Sequence, residues 1–293
     1  MDRIFINSLP KSGTHLLARS VELFGYREHF DDAGSLDDPA RVAPIFINYR
    51  EARDALAREG KQPARSAEES VPVGTLVPVH VDATTFGRWL GSLSAGRYIL
   101  GHVMYTPTLR RLLSACSYHH LFILRDPRAV VVSLVDFILD TRGMPRPHFL
   151  YEDFLPMSPE ERMAFIVEGG EARRAGVCTQ SFTAVYMGLL AWEADPSCLV
   201  VRFEDLVGPR GGGSFQRQQA AVERIAAHLG RSFEEVAERY SAVFDTNSRT
   251  FRAGRIDGWQ ADLDPASIAY LNRCCTSLCA SAGYGDPQAG DGG

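Results

Sequence analysis

The sequence predicts an α/β fold of three layers, in which a mainly parallel central sheet is covered by helices on both faces. Short apolar segments alternate along the chain with longer segments of helical periodicity. The apolar segments also lack the polar alternation of a strand that faces water. Strands that are apolar on both sides are typical of a parallel sheet buried between two layers of helices.

The chain begins with a predicted strand, a tight loop and a helix. Residues 3–7 (RIFIN) form a short apolar run, and residues 8–14 (SLPKSGT) follow as the loop. Residues 15–25 (HLLARSVELFG) carry apolar side chains at helical spacing and end on a glycine, which is a common helix stop.

The later elements repeat this alternation. Buried strands are expected at three further places: 97–102 (RYILGH), 120–126 (HLFILRD) and 198–203 (CLVVRF). Helices are expected to begin at Pro127, near Thr183, at Phe215 and at Pro265. Proline is favoured in the first helical turn, where its missing N–H costs nothing.

The 293 residues, 45% of them hydrophobic, suit one large domain, which we expect to span residues 1–284. Residues 27–95 are interpreted as surface helices and loops, and residues 141–180 are again irregular and charged. The stretches 27–95 and 140–190 are expected to be variable segments on the acceptor side. The end of the chain, 285–293, is predicted to be a disordered tail.

Composition excludes several classes of protein. A net charge of −5 argues against a nucleic-acid binder. The N-terminus lacks the apolar core of a signal peptide and no apolar run is long enough to cross a membrane, so we expect a cytoplasmic protein. The six cysteines form no CxxC pair and are interpreted as small core residues; no metal site is predicted.

The loop after the first strand contains Lys11, Ser12, Gly13 and Thr14. A glycine allows close backbone approach to an anion, and the following helix N-terminus adds positive potential. The pattern therefore suggests a phosphate cradle, although it is not the GxxxxGK[ST] loop of nucleotide-binding proteins. An ordinary turn into a helix would have the same pattern.

Two other strands also end in residues suited to chemistry. His102 ends the second strand and is a candidate general base, while a hydrogen-bonded structural histidine is the alternative. Arg125 ends the third strand and can fork onto a phosphate, with Ser133 about two helical turns further on. A salt bridge at the helix start is the alternative for that arginine.

Four segments together resemble the cytosolic-type sulfotransferases that use 3′-phosphoadenosine 5′-phosphosulfate (PAPS). They are PKSGT at 10–14, GH at 101–102, RDPRAVVVS at 125–133 and FRAGRIDGW at 251–259, in the order found in the family. The resemblance covers roughly a third of the chain. It implies a three-layer fold related to the P-loop kinases and transfer of a sulfuryl group from PAPS to a hydroxyl.

The resemblance also implies residue roles. The 5′-phosphosulfate would be held by Lys11, Ser12, Gly13 and Thr14, and Lys11 would also stabilise the leaving oxygen. His102 would remove the acceptor's proton. The 3′-phosphate would be clamped by Arg125, Ser133, Arg252 and Gly254, with Arg255 replacing the charge lost at Ala253. The product would be 3′-phosphoadenosine 5′-phosphate, and no metal is implied.

The chain departs from the family pattern at several positions. Leu16 stands where the family has a tryptophan that stacks on adenine, and Phe203 stands where a tyrosine often precedes Glu-Asp. Leu100 replaces a lysine found in many animal members. With these departures, the sequence resembles a bacterial branch of the family more than the animal enzymes that sulfate hormones or drugs. The departures concern adenine recognition more than the transfer chemistry.

Two other functions stay open on the sequence alone: a P-loop-type kinase, which would need Mg²⁺, and a non-catalytic adenine-nucleotide-binding protein. The acceptor is expected to be a small molecule with a hydroxyl, but the sequence does not identify it. An acceptor pocket or the protein core could equally hold Phe86, Trp89, Phe137, Phe149, Tyr151, Phe154, His80 and His148. The sequence does not indicate an oligomeric state.

Overall fold

The computed structural model describes residues 2–29, 42–66, 68–142, 146–244 and 254–285. In these residues the strands are β1 Arg3–Ser8, β2 Arg27–Glu28, β3 Phe46–Ile47, β4 Ser70–Val73, β5 Val79–Asp82, β6 Arg97–Gly101, β7 Tyr118–Leu124, β8 Gly170–Ala172, β9 Val177–Thr179 and β10 Cys198–Arg202. The predicted buried strands correspond to β1, β6, β7 and β10.

The α-helices of the same residues are α1 Thr14–Glu22, α2 Tyr49–Arg58, α3 Ala83–Gly91, α4 Pro107–Ala115, α5 Pro127–Leu139, α6 Tyr151–Phe154, α7 Pro159–Glu168, α8 Phe182–Leu190, α9 Phe203–Leu206, α10 Phe215–His228, α11 Gly258–Ala261 and α12 Pro265–Ser281. None of the described helices combines the length and the apolar character that a membrane crossing requires.

The central sheet is parallel, with strand order β10-β7-β1-β6-β2, and β3 also pairs with β6. The residues of β1 alternate between the two faces of this sheet. Ile4 and Ile6 pack in the core under α1 and α10, whereas Phe5 packs in the core that includes α5 and α8. The predicted three-layer arrangement with a mainly parallel sheet is therefore confirmed.

The order of the strands creates a crevice at the carboxyl end of β1. The chain runs from β6, on one side of β1, to β7, on the other side. Ligands of open α/β sheets bind at such a reversal of strand order, outside the carboxyl ends of the strands. The three segments that the sequence analysis singled out follow β1, β6 and β7.

A buried asparagine ties the ends of β1 and β6 together where their backbone pairing stops. The Asn7 amide nitrogen donates to the Val103 carbonyl oxygen at 2.8 Å, and the Asn7 amide oxygen accepts from the Val103 N–H at 2.9 Å. The Asn7 side chain thus takes the place of a paired strand backbone and bonds both the N–H and the carbonyl of Val103, while the Trp192 indole N–H also donates to that carbonyl at 3.3 Å.

The interpretation of 27–95 as surface helices and loops was partly wrong, and the segment 140–190 contains a hairpin that was not predicted. The first segment contains the antiparallel hairpin β4–β5 and the helix α3, whose Trp89 is completely buried. The second contains the hairpin β8–β9. Among the cysteines, Cys275 and Cys279 are buried as predicted, but Cys178 on β9 is exposed.

Candidate active site

A cavity of about 590 Å³ opens at the crevice beside β1. It brings together all the predicted site residues that the structure describes except Ser12, because it is lined by Lys11, Gly13, Thr14, His102, Arg125, Ser133, Gly254 and Arg255. Ser12 lies in the same loop but is buried, with 1% exposure. Arg252 lies outside the described residues.

The loop between β1 and α1 adopts a backbone that few residues tolerate. Lys11 has φ of 70° and Gly13 has φ of 102°, both in the left-handed region. A Cβ atom on residue 13 would also lie 2.8 Å from Cδ2 of Phe203. Glycine is therefore required at position 13 for its conformation and for the close packing of the loop against Phe203.

The loop leads into a helix whose first amides receive no side-chain cap. Gly13 is the N-cap of α1 and makes no capping hydrogen bond, and the first turn contains no acidic residue. Every other described α-helix of eight or more residues has a capping side chain. The free N–H groups and the positive end of the helix dipole of α1 suit an anion.

The loop side chains have partners that do not block this site. The Lys11 ammonium lies 4.7 Å from the centre of the Phe137 ring, in a cation–π contact beside the cavity. The Thr14 and Ser8 hydroxyls are 2.6 Å apart. The Ser12 N–H donates to the Leu9 carbonyl at 3.1 Å and closes the turn.

His102 is held by its Nδ1 nitrogen. Nδ1 lies 2.8 Å from the Ser8 carbonyl oxygen and 3.2 Å from the Ser8 hydroxyl. Because a carbonyl can only accept, Nδ1 carries the proton in the neutral ring and Nε2 carries the lone pair. This tautomer is the one that a general base in the cavity requires.

The surroundings of His102 keep its ring neutral. Burial lowers the pKa of His102 to about 4, the hydrogen bond to the Ser8 carbonyl opposes that shift, and His15 and Lys11 reinforce it. The neutral ring is therefore the form present near pH 7. The predicted role of a base agrees with this charge state, since a protonated imidazole could not accept a proton.

Arg125 connects the predicted phosphosulfate loop to the predicted 3′-phosphate clamp. Its guanidinium donates to the Lys11 carbonyl at 3.0 Å and to the Arg255 carbonyl at 3.4 Å. It also lies 4.3 Å from the centre of the Phe203 ring. Burial lowers its pKa, and the neighbouring Glu204 and Asp126 oppose that shift.

The remaining predicted clamp residues lie nearby. The Ser133 hydroxyl makes no hydrogen bond to the described residues and lines the cavity from α5. Gly254 and Arg255 line it from the segment before α11, which is held by a hydrogen bond from the Ile256 N–H to the Gly211 carbonyl at 2.9 Å. Leu16 and Phe203, the two departures from the family pattern, also line the cavity.

The aromatic candidates divide between the core and the cavity wall. Phe86, Trp89 and Phe154 are fully buried in the core. Phe137, His148 and Phe149 line the cavity, together with Phe46, Tyr49, Leu76 and Val77. Tyr151 lies outside this wall, and His80 forms a 2.9 Å hydrogen bond with Ser70 on the hairpin β4–β5.

Asn7 and Ser8, which fix the position of His102, were not predicted from the sequence to belong to the site. The Ser8 carbonyl accepts a hydrogen bond from Nδ1–H of His102. The Asn7 side chain holds the backbone of Val103, the residue that follows His102. The available signal was weak: two polar residues end an otherwise apolar strand. The role of such a residue depends on its partner on the neighbouring strand, and the sequence of its own strand does not identify that partner.

Comparison with solved structures identifies this architecture. A mouse sulfotransferase, SULT7A1, solved in complex with PAP, matches with a TM-score of 0.53 and 18% sequence identity, over 95% of this chain and 85% of that chain. The chain has the sulfotransferase fold. The fold class predicted from the sequence resemblance is thereby confirmed.

Two weaker similarities are to retinol dehydratase. One structure, in complex with androsterone and inactive cofactor PAP, has a TM-score of 0.48 and 15% identity over 94% of this chain and 80% of that one. The other, in a complex with retinol and PAP, has a TM-score of 0.47 and 14% identity over 94% and 81%. No protein-family model and no curated protein matches this sulfotransferase-fold chain.

Proposed function

We propose that this chain is a sulfotransferase that moves a sulfuryl group from PAPS to a hydroxyl on a small-molecule acceptor. The observation that carries the proposal is the meeting of three features in one cavity. They are the uncapped N-terminus of α1, the neutral His102 with its Nδ1 held by Ser8, and the half-buried Arg125. An anion site beside a general base is the minimum that sulfuryl transfer needs.

The residues of the cavity fit PAPS at both of its charged ends. The free amides of α1, with Lys11, Gly13 and Thr14 in the cavity wall and the neighbouring Ser12 in the same loop, are proposed to hold the 5′-phosphosulfate. Arg125, Ser133, Gly254 and Arg255 suit the 3′-phosphate, and Arg252 is proposed to complete that clamp. Leu16 and Phe203 add apolar surface to the cavity wall, which supports contact with the adenine ring.

His102 is the proposed general base. When bound, PAPS supplies the sulfuryl group: the acceptor oxygen bonds to sulfur while the bond from sulfur to the bridging phosphate oxygen breaks. His102 accepts the hydroxyl proton at Nε2, and the Ser8 carbonyl stabilises the imidazolium through Nδ1–H. Transfer of this kind has a loose, in-line transition state, so positioning and charge stabilisation provide most of the catalysis.

Lys11 is the proposed stabiliser of the leaving group. Its ammonium lies in the same loop as the uncapped amides and beside the cavity. Negative charge grows on the bridging oxygen as the bond to sulfur lengthens, and a donor fixed beside that oxygen lowers the barrier. Lys11 thus contributes to nucleotide binding and to turnover, whereas His102 contributes to turnover alone.

The cofactor assignment is tested by calorimetry with two nucleotides. The protein should bind 3′-phosphoadenosine 5′-phosphate at least about tenfold more tightly than 5′-AMP, because only the first offers a 3′-phosphate to the arginines. Ser133→Ala removes one hydroxyl and no described protein contact, so it should reduce this preference. Ser114→Ala, an exposed serine on α4, is the matched control and should leave it unchanged.

Equal affinity for the two nucleotides would show that the clamp is wrongly assigned. The activity itself is tested with labelled PAPS and a panel of phenols and alcohols, measuring the labelled sulfate ester. Tight binding of the bisphosphate with no transfer to any hydroxyl would favour a non-catalytic nucleotide-binding protein.

A further inference from the structure

A second histidine, His148, lies in the wall of the cavity on a segment that α2 holds in place. The Arg50 guanidinium donates to the Pro147 carbonyl at 2.7 Å. The Tyr49 and Phe149 rings pack with their centres 5.2 Å apart. These contacts fix the backbone on either side of His148, so the direction of its ring is set before any ligand binds.

The hydrogen bond of His148 determines which nitrogen carries the proton. The Leu150 backbone N–H donates to Nδ1 of His148 at 3.2 Å. Nδ1 must therefore be unprotonated, and a neutral ring carries its proton on Nε2. Burial, assisted by the nearby Arg50, lowers the pKa of His148 to about 3, so the ring is neutral near pH 7.

The Nε2–H of His148 is a hydrogen-bond donor without an acceptor among the described residues. The ring lies between Phe149, at 4.4 Å, and Phe137, at 5.6 Å between ring centres. Phe137 also makes the cation–π contact with the Lys11 ammonium. His148 therefore belongs to the aromatic wall that adjoins the sulfuryl-transfer end of the cavity.

The two histidines of the cavity have opposite tautomers. His102 donates through Nδ1 to the protein and offers a lone pair, whereas His148 accepts through Nδ1 and offers a proton. The first is suited to a hydroxyl that loses its proton. The second is suited to an oxygen that has no proton to give, such as a carbonyl oxygen.

We propose that His148 is a specificity-determining residue whose Nε2–H donates a hydrogen bond to a carbonyl oxygen of the acceptor. The preferred acceptor class is then a hydroxyaryl ketone: a planar aromatic ring for the wall of Tyr49, Phe137 and Phe149, a hydroxyl for His102 and a carbonyl for His148. This inference rests on the proposed sulfotransferase function and names the acceptor for the same site.

The test compares matched phenols with and without the carbonyl, using labelled PAPS. One pair is para-hydroxyacetophenone and para-ethylphenol, and a longer pair is an acetyl-naphthol and the corresponding ethyl-naphthol. The quantity compared is kcat/KM for the ketone divided by kcat/KM for the alkyl compound. For at least one pair, this ratio should be roughly tenfold lower in the variant without the donor than in the wild type. Dividing the wild-type ratio by the variant ratio cancels the intrinsic difference in reactivity between the two phenols.

Two substitutions distinguish the role of the Nε2–H donor of His148 from the role of its Nδ1 contact with the Leu150 N–H. In His148→Asn the amide oxygen can replace Nδ1 as acceptor for Leu150 N–H, but no donor reaches the position of Nε2. In His148→Gln a donor reaches that position, and the contact to Leu150 is lost. Selectivity for the ketone should disappear in the first variant and persist in the second, which a merely structural role for His148 would not produce.

The possible failures are distinguishable. If the wild type sulfates phenols but the ketone preference is the same in His148→Asn, the inference is wrong and the proposed function stands. If preference disappears equally in His148→Gln, a loop effect explains the result and the inference is also wrong. If no hydroxyl compound is sulfated at all, the proposed function itself has failed.

Discussion

The chemistry proposed for the cavity depends on single backbone groups that orient His102 and His148. Ser8 presents its carbonyl to the first ring, and Leu150 presents its N–H to the second. If the backbone group that contacts Nδ1 were an N–H at His102, or a carbonyl at His148, the protonation of Nε2 in that ring would be reversed. The backbone thus assigns one histidine the role of acceptor and the other the role of donor, without any charged partner.

Replacement of the two proposed catalytic side chains should give different kinetic results. His102→Ala should lower kcat by about 10²–10⁴ and leave the dissociation constant of 3′-phosphoadenosine 5′-phosphate nearly unchanged. Lys11→Ala should impair both quantities, because Lys11 is proposed to contact the nucleotide in the ground state and the leaving oxygen in the transition state. Both are measured with one alcohol acceptor and by calorimetry.

His102→Asn serves as the control for polarity, since it retains a side chain that can donate to the Ser8 carbonyl but has no titratable base. It should be almost as slow as His102→Ala. A His102→Ala protein that retains near-normal kcat on an alcohol would remove His102 from the mechanism.

The pH dependence should reflect the lowered pKa of His102. Only the neutral ring accepts a proton, so the rate falls as pH falls through the pKa. Because burial lowers the pKa of His102 to about 4, kcat/KM for PAPS should have its acidic limb well below the ordinary histidine value near 6.5. A limb at the ordinary value in the wild type, measured between pH 5 and 8, would contradict the assignment.

The sequence was sufficient to propose His102, Lys11 and Arg125, because each follows a recognisable apolar strand. It was not sufficient to predict how His102 is oriented. That orientation depends on Ser8, which is 94 residues away in the chain. The role of His148 was left undecided for the same reason, since its tautomer depends on the backbone geometry of an irregular segment.

At the scale of the elements, β7 contains an unusual core residue. His120 is 2% exposed, and neither ring nitrogen has a hydrogen-bond partner among the described residues. The ring packs against Trp192, at 4.2 Å between ring centres, and against Phe5 at 5.4 Å. Burial lowers the pKa of His120 to about 3, although Asp195 opposes that shift.

His120→Leu should stabilise the protein. Two buried, unpartnered nitrogens are removed, and the free energy of unfolding should rise by about 1–3 kcal/mol at neutral pH. The measurement is urea denaturation. His119→Leu is the matched control: this neighbouring side chain is more exposed and pairs with Asp2 at 3.1 Å, so its loss should not stabilise.

The same variant should change the response to acid. The folded-state pKa of His120 lies below the unfolded value of about 6.5. The wild type therefore loses stability as pH falls from that value toward 3, because the unfolded chain takes up the proton first. His120→Leu should show a weaker loss over this range. An unchanged slope, with no gain at neutral pH, would mean that the ring is not buried as described.

Elements with strong local signals were predicted well. The helices α5, α10 and α12 begin at Pro127, Phe215 and Pro265 as expected, because proline or a capping side chain marks each start. The hairpins β4–β5 and β8–β9 were missed. Their strands have only three or four residues, and their pairing depends on long-range contacts that short segments do not encode.

At the scale of the whole molecule, the strand order brings distant segments into one site. Lys11, His102 and Arg125 follow β1, β6 and β7, which are adjacent in the sheet although up to 114 residues apart in the chain. The parallel sheet and its two covering layers could be predicted from the sequence. The short strands β2 and β3 at the edge could not, because each has only two residues.

Transfer should persist in excess EDTA. The cavity offers cationic and amide donors from Lys11, Arg125 and the N-terminus of α1 to balance the charge of the nucleotide. A sulfuryl group carries less charge than a phosphoryl group, so these donors should suffice without a divalent cation. The measurement is the rate of labelled ester formation before and after chelation. Loss of turnover that Mg²⁺ restores would favour the kinase alternative.

The uncapped start of α1 has a practical consequence for any solution study. Its amide N–H groups can donate hydrogen bonds to an inorganic oxyanion as well as to a nucleotide, so phosphate or sulfate in a buffer will compete for the same place. Apparent nucleotide affinity then falls as the concentration of that anion rises, while the melting temperature of the nucleotide-free protein rises with it. Buffers of zwitterionic or chloride salts give the intrinsic values.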